Sequence, residues 1–257
     1  MSSESDDVKR EVAAANRVLA NLGLASGLTA ALGHASMRVP SQPHHFFVKG
    51  REYEFDALAI MEPEDMVMCN TDGYLVAARA GLTQCSEVKI HACIYKLRPD
   101  VNAVVHVHPH YTILMSVLTG TLKPMRQEGA QLLRRPLPIY PHVKTIQSDD
   151  EGMDVANLLG TEAAILLRGH GAVTTGKDVS EAVMSMAHLE EQAQMNYLAY
   201  CAEGKDYPFL SDDVLDEMLN RTPLHQLPHF KDVLKGREPQ RDGTWNFQKR
   251  TAVRRSQ

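Results

Sequence analysis

The stretch SEVKIHACIYKLRPDVNAVVHVHP, residues 86–109, predicts a helix followed at once by a buried strand. Ser86 is the candidate N-cap of the helix, and Pro99 lies just after its expected end. In the strand, residues alternate with a period of two, which places His106 and His108 on one face together with Val104. Most buried strands contain no histidine, so this pair calls for a chemical explanation.

The segments around this stretch predict further helices and strands in irregular order. Residues 6–27 have the apolar spacing of a helix that stops at Gly23, and residues 178–200 predict a long helix that begins at Asp178. The apolar run AAILLRGHGAV, residues 163–173, has the length of a central strand and contains a Gly-His-Gly turn. Because helices and strands are mixed without a regular βα repeat, the sequence predicts a single α/β domain around one central sheet.

The composition and charge exclude several classes of protein. A formal net charge of −5 over 257 residues provides no basic surface for nucleic acid. The N-terminus MSSESDDVKR is polar and acidic, unlike a signal peptide, and no apolar run approaches the roughly 18 residues that span a bilayer. The four cysteines lack CxxC spacing, which favours free thiols in a reducing compartment. We therefore expect a cytoplasmic protein that binds neither nucleic acid nor a membrane.

The histidine pair of the buried strand is a candidate metal site. His106 and His108 point the same way and can reach one ion, although an HxH pair alone is a weak indication. The best third ligand is His170, between two glycines that permit a tight turn at the end of another apolar strand. His110, beyond Pro109, is expected outside the ligand set, and His91 on the helix is interpreted as a packed or solvated residue.

Glu87, at the start of the predicted helix, is a candidate for proton transfer. Three neutral imidazoles would leave a bound metal its full charge, and a partly desolvated carboxylate nearby can act as general acid or base. The alternative is a solvated glutamate in the first helical turn, stabilised by the helix dipole. Spacing alone favours this alternative.

Taken together, the motifs GHAS, SEVKIHACIYKLRPDVNAVVHVHP and RGHGA resemble the class II aldolase/adducin family from about residue 10 to about residue 200. The resemblance implies a three-layer α/β/α domain with a mainly antiparallel central sheet. It also implies a homotetramer with active sites at subunit interfaces. We expect a catalytic domain over residues 1–205. Residues 206–257 are then a C-terminal extension that packs on the domain or on a neighbouring subunit and ends in a mobile basic tail.

The resemblance also implies roles for individual residues. It makes His106, His108 and His170 the ligands of one divalent ion per subunit, with zinc or manganese favoured over iron or cobalt. It makes Glu87 the catalytic acid/base, against the interpretation from spacing alone. Ser86 falls in the stretch that helps to bind the anionic group of the substrate.

Departures from the family pattern bear on the reaction. His34 in GHAS replaces the asparagine of the sugar-phosphate enzymes, Lys49 in FFVKG replaces a hydroxyl residue before the retained Gly50, and Cys85 replaces a serine. Two hydroxyl donors of a phosphate cradle are thus missing, while Lys49 and Arg51 suit a planar carboxylate better. These departures are similar to the branch that decarboxylates hydroxylated aromatic or pyridine dicarboxylates.

Three functions follow from these observations. The favoured one is a metal-dependent decarboxylase of a hydroxylated aromatic carboxylate, in which His34 steers the leaving carboxylate or hydrogen-bonds a ring substituent. The second is an aldolase or epimerase that acts on a ketose phosphate or a small hydroxy or keto acid. The third is a non-enzymatic, adducin-like interaction module, in which the metal histidines would serve no purpose.

Overall fold

The computed structural model describes residues 3–235 and 243–255, and within them helices and strands alternate irregularly. The helices are α1 Ser3–Asn21, α2 Val88–Leu97, α3 His110–Leu118, α4 Asp149–Leu159, α5 Val179–Glu203, α6 Asp212–Leu219, α7 Pro228–Leu234 and α8 Gly243–Arg255. The strands are β1 His34–Val39, β2 Gln42–Arg51, β3 Met66–Asn70, β4 Leu75–Ala77, β5 Thr83–Gln84, β6 Ala103–Val107, β7 Ile139–Tyr140, β8 Ala164–Leu167 and β9 Gly171–Gly176.

The strands form one central sheet in the order β4-β3-β2-β1-β6-β9-β8-β7, with β5 paired to β2. The β7–β8 pair is parallel, and the other pairs of the described strands are antiparallel. Two buried apolar clusters cover the two faces, one built with residues of α1, α3 and α5 and the other with residues of α2 and α4. The predicted three-layer α/β/α domain with a mainly antiparallel sheet is thus confirmed.

Strand β6 lies in the middle of this sheet, and its alternation divides the two cores. Ala103, Val105 and Val107 pack in the cluster with α5, whereas Val104 packs in the cluster with α2. His106 shares the α2 face with Val104, as the period of two predicts. All five residues of β6 are buried, so the imidazole of His106 has little access to bulk water.

The apolar run 163–173 is a hairpin rather than one strand, because it spans β8, a turn and the start of β9. Gly169 adopts a φ of +64° in this turn, a conformation that costs glycine little. A Cβ at Gly171 would clash with the carbonyl oxygen of Val107, so the close approach of β9 to β6 also requires glycine. The Thr-Thr-Gly sequence beyond the turn lies within β9, which the sequence interpretation missed.

The C-terminal segment folds back onto the first helix. Trp245 and Ala252 of α8 are buried, and Lys249 Nζ lies 2.9 Å from a carboxylate oxygen of Glu11 on α1. Residues 243–255 thus form a helix against α1 that includes residues 248–255 of the basic tail expected to be mobile (248–257), and residues 256 and 257 lie outside the described part. No helix of the described chain has both the length and the apolar character needed to cross a membrane.

Candidate metal centre and its cavity

The sheet brings the three predicted metal ligands together. His106 lies within β6, His108 one residue beyond it, and His170 in the turn before β9, which pairs with β6 in antiparallel register. The ring centroids of the three imidazoles are 4.9–5.1 Å apart, and the Nε2 atoms of His106 and His108 are 3.1 Å apart. The sequence interpretation of these residues as one cluster agrees with this geometry, and their function as ligands stays a prediction.

The hydrogen-bond partner of His106 fixes which of its nitrogens can bind a metal. Nδ1 lies 2.9 Å from the carbonyl oxygen of Ala172, an atom that only accepts, so Nδ1 is protonated and Nε2 has a free lone pair. Burial lowers the pKa of His108 to about 3 and so favours its neutral, metal-binding form. The Nδ1 atom of His170 is buried, and no described residue hydrogen-bonds to it.

Glu87 completes the cluster from the helix side of the sheet. Its Oε2 atom lies 3.3 Å from His106 Nε2 and 3.5 Å from His170 Nε2, and the four candidate ligand atoms lie within 4.8 Å of one another. Tetrahedral bonds of 2.0–2.1 Å to nitrogen place two ligand nitrogens roughly 3.3 Å apart. Lone pairs converging at such distances repel one another unless a cation lies between them, so these residues fit a divalent ion.

The backbone places Glu87, not Ser86, at the N-cap position of α2, so the predicted cap was wrong. The Glu87 side chain makes no cap hydrogen bond, because it turns into the cluster, where Oε1 accepts from the backbone N–H of Ile146 at 2.9 Å. Burial alone would raise the pKa of Glu87, and in the metal-free cluster protonation of His106 and His170 would lower it strongly by charge and hydrogen bonding. The alternative of a solvated first-turn glutamate does not hold, since Glu87 is buried.

A cavity of about 400 Å³ opens in front of this cluster. Most of the predicted substrate-binding residues line it. Its polar and charged lining includes His34, Lys49, Arg51, Ser86, Glu87, His108, Thr145, Gln147 and His170. Gly50 is not part of the lining, and a Cβ at this position would clash with the carbonyl oxygen of Asp65 on the side of β3. The retained glycine therefore serves the packing of β2.

Lys49 has a partner that the sequence interpretation did not foresee. Its Nζ atom lies 2.6 Å from Oδ2 of Asp56, and the two side chains are only 2% and 8% exposed. The charge of Lys49 is thus balanced within the protein. Arg51 is less buried, and its guanidinium lies 5.5 Å from the ring centroid of Tyr53.

His34, on β1, lines the cavity and contacts buried residues that the sequence interpretation missed. Its Nδ1 atom lies 2.6 Å from Nε2 of His91, whose Nδ1 lies 2.6 Å from the hydroxyl of Ser36. The same hydroxyl lies 2.7 Å from that of Tyr95. Burial lowers the pKa of His91 to about 3, and it lowers that of His34 as well. His91 is therefore a buried polar residue with two partners rather than a packed or solvated one.

The spacing of α2 contains a signal for this arrangement. Glu87, His91 and Tyr95 recur at intervals of four residues and so lie along one helix face, the face turned to the sheet. Cys85 lies near His34 and His91, and the three could be taken for a second metal site. The two imidazole nitrogens point at each other at 2.6 Å, which is a hydrogen bond and leaves no room for an ion.

Comparisons with known proteins show what the chain is similar to. The family described as "Class II Aldolase and Adducin N-terminal domain" matches residues 10–197. A 3,4-dihydroxyphthalate decarboxylase from Arthrobacter keyseri is 28% identical over 209 residues, which cover 78% of this chain and 82% of the relative. An L-fuculose phosphate aldolase from Methanococcus maripaludis is 30% identical over 142 residues, covering 55% of this chain and 74% of the relative. The structure of an aldolase II superfamily protein from Pseudomonas syringae has the same fold, with a TM-score of 0.79 at 22% identity over 99% of this chain and 95% of that one.

Proposed function

This chain belongs to the class II aldolase and adducin family and is a metal-dependent lyase, and on that premise we propose that it decarboxylates a hydroxylated aromatic carboxylate. The substrate would have a hydroxyl group beside a carboxylate, as in the 3,4-dihydroxyphthalate for which its relatives are named. Similarity to these decarboxylases extends over about four fifths of the chain, whereas similarity to the fuculose phosphate aldolases covers about half.

The ion pair between Lys49 and Asp56 is the observation that favours a carboxylate over a phosphate. A phosphate dianion at this wall would meet a cation that is already neutralised at 2.6 Å, and it would lie close to a buried carboxylate. The second oxygen of Asp56, Oδ1, is buried, and none of the described residues hydrogen-bonds to it, which adds to this repulsion. Arg51 remains available to a singly charged, planar carboxylate, which a guanidinium binds with two parallel hydrogen bonds.

His106, His108 and His170 would hold the divalent ion, with zinc or manganese preferred to iron or cobalt. When bound, such an ion supplies Lewis-acid chemistry, which favours the ionised form of a nearby hydroxyl and stabilises developing negative charge. Glu87 lines the cavity beside these imidazoles, where its carboxylate could accept the proton of the substrate hydroxyl. After the carboxylate leaves as carbon dioxide, its bonding electrons remain on the ring carbon, and Glu87 returns the proton to that carbon.

The test is carbon dioxide release from 3,4-dihydroxyphthalate and related hydroxylated aromatic and pyridine dicarboxylates, with each metal added back to chelated protein. His106→Ala should lose both the metal and the activity, since it removes a central ligand. Glu87→Gln should keep the metal and lose turnover. His110→Ala is the matched control, because it removes an exposed imidazole two residues from His108 and should keep both metal and activity. Full turnover in Glu87→Gln would exclude Glu87 as the acid/base.

An aldolase acting on a ketose phosphate is the second candidate, supported by 30% identity to a fuculose phosphate aldolase. It would use the same cluster and the same carboxylate. Cleavage of fuculose 1-phosphate to dihydroxyacetone phosphate, at a rate above that of any decarboxylation, would replace the decarboxylase proposal.

Assembly into a homotetramer with sites at subunit interfaces is part of the proposal. It is supported by exposed apolar side chains beside the metal cluster. Val143 and Val117 lie next to Gly169, the residue before His170, since a Cβ added at Gly169 would be 3.2 Å and 3.6 Å from them. The two valines are 73% and 59% exposed. Sedimentation velocity should give a tetramer for the wild-type protein and smaller species for Val143→Asp.

We also propose a cytoplasmic location. The free cysteines in the described chain support it.

A further inference from the structure

A buried chain of four polar side chains runs inward from the cavity wall. His34 and Ser36 lie two residues apart on β1, and His91 and Tyr95 lie four apart on α2, so the four side chains meet between sheet and helix. They are 0–4% exposed and are joined in the order His34, His91, Ser36, Tyr95 by contacts of 2.6, 2.6 and 2.7 Å. The chemistry at Glu87 does not require this chain.

The contacts of Ser36 and Tyr95 determine the direction of the hydrogen bonds. The Tyr95 phenol is buried, so its proton needs an acceptor within the protein, because a buried donor left unpaired is destabilising. Among the described residues, Ser36 Oγ is then the acceptor available to the phenol proton. Ser36 in turn donates to His91 Nδ1 at 2.6 Å in preference to the carbonyl of Val104 at 3.5 Å, the limit of a hydrogen bond.

This direction fixes the tautomers of both histidines. With Nδ1 accepting from Ser36, His91 has its proton on Nε2 and donates it to His34 Nδ1. His34 then has its own proton on Nε2, the nitrogen on the ring edge opposite His91. The reverse order would leave Nε2 of His34 as an acceptor, but it would strand the buried proton of Tyr95 without a partner, at a cost of about 1–3 kcal/mol.

We propose that Tyr95, Ser36 and His91 are positioning residues that hold His34 as a hydrogen-bond donor toward the substrate. The ring of His34 lies 5.2 Å from that of His106 and lines the cavity, so its N–H would be available to an anionic oxygen of a substrate bound beside the metal cluster. The proposal rests on the proposed function for the identity of that oxygen. It assigns His34 the part of a donor rather than of a base, because its cavity-facing nitrogen already bears a proton.

Two substitutions of His34 separate a donor from a base. The amide nitrogen of a glutamine reaches the position of Nε2, whereas that of an asparagine reaches only the position of Nδ1, and neither amide can act as a base. We expect His34→Gln to retain a kcat at least about tenfold above that of His34→Asn, the value of one hydrogen bond to a charged oxygen. Equal loss in two folded, metal-loaded variants would overturn the donor assignment.

Tyr95→Phe tests the chain behind His34. It removes the first donor while keeping the aromatic volume, so both tautomers of His34 become accessible. We expect kcat to fall about three- to tenfold with little change in KM, and we expect no fall when Tyr95→Phe is added to His34→Gln, whose donor does not depend on the chain. The same fall in both backgrounds would show that Tyr95 acts on packing and would overturn the proposal. If Tyr95→Phe does not fold, Ser36→Ala breaks the chain at its next link.

Nitrogen-15 NMR of histidine-labelled, metal-free protein tests the chain without any substrate. The signals absent from His34→Gln identify His34, and its two ring nitrogens differ strongly in chemical shift according to which one has the proton. We expect the proton on Nε2 in the wild-type protein and a mixture of tautomers in Tyr95→Phe. A proton on Nδ1 in the wild-type protein would overturn the proposal. If no decarboxylation is found with any substrate, the proposed function fails, and this measurement still decides the direction of the chain.

Discussion

Acidification should destabilise the metal-free protein through His91, one of the most deeply buried of its histidines. Burial lowers the pKa of His91 from an ordinary 6.5 to about 3 in the folded protein. A histidine with a lowered folded pKa binds its proton more readily in the unfolded chain. The stability that it contributes is therefore complete above pH 6.5 and is lost as the pH falls from 6.5 toward 3.

The size of the effect follows from the two pKa values. At pH 5 the unfolded chain is mostly protonated at this position and the folded protein is not, which gives a loss of about 2 kcal/mol relative to pH 8. At pH 3 the loss is about 4 kcal/mol. The first figure is a substantial share of the stability of an ordinary domain, so acid unfolding should begin well above the pKa range of carboxylates.

Urea unfolding of chelated protein at pH 8 and pH 5 measures this loss. His91→Gln should reduce the difference in unfolding free energy between the two pH values by about 2 kcal/mol, even though it lowers stability at both. His229→Gln, which removes an exposed imidazole on α7, is the matched control and should keep the wild-type difference. An unchanged pH dependence in His91→Gln would refute the argument that His91 is held neutral by burial.

Three further predictions concern the framework of the site. Lys49→Met should lower the unfolding free energy by about 3–5 kcal/mol in urea titrations because it strands the carboxylate of Asp56, and adding Asp56→Leu should restore most of the loss. Glu190→Gln should cost about 2 kcal/mol, since the Glu190 carboxylate accepts hydrogen bonds from the backbone N–H and the hydroxyl of Thr112 at the start of α3; an unchanged melting temperature would contradict this. Gly50→Ala should cost about 1–3 kcal/mol because its Cβ meets a backbone carbonyl oxygen, and differential scanning fluorimetry measures the shift.

The sequence predicts the cluster of imidazoles well because the information is local. Strand alternation alone orients His106 and His108, and the Gly-His-Gly turn restricts where His170 can lie. The pairing of β9 with β6 is a long-range contact that sequence alternation does not describe, and it brings the third imidazole beside the other two. Sequence reasoning therefore arrives at the right cluster even where it takes the β8–β9 hairpin for a single strand.

The wall of the cavity could not be predicted in the same way. The charge of Lys49 is balanced by Asp56, which follows it in the chain after a loop. Loops have no regular periodicity, so the sequence does not indicate that these two side chains meet. The backbone conformation at Glu87 makes this residue, rather than Ser86, the N-cap of α2. Sequence patterns locate the end of a helix only to within one or two residues. His91 is different, since its spacing from Glu87 and Tyr95 was available, and its neglect came from weighing each histidine separately.

The residues that indicate the class of reaction and the residues that bind the anionic group of the substrate lie on different elements of the fold. For this reason the class of reaction is easier to predict than the substrate. The sheet and its adjoining turns supply the imidazoles, and one face of α2 supplies Glu87, His91 and Tyr95, so the metal cluster, its carboxylate and the support of His34 all depend on these two elements. The anion-binding wall lies on β2 and on the loop that follows it, where Lys49, Arg51 and Asp56 set the charge. Substitution of residues in this wall can change the anionic group that it binds from a phosphate to a carboxylate without moving the metal cluster or Glu87. Differences in substrate among family members should therefore map to residues 49–56, whereas changes on α2 should alter the rate with every substrate.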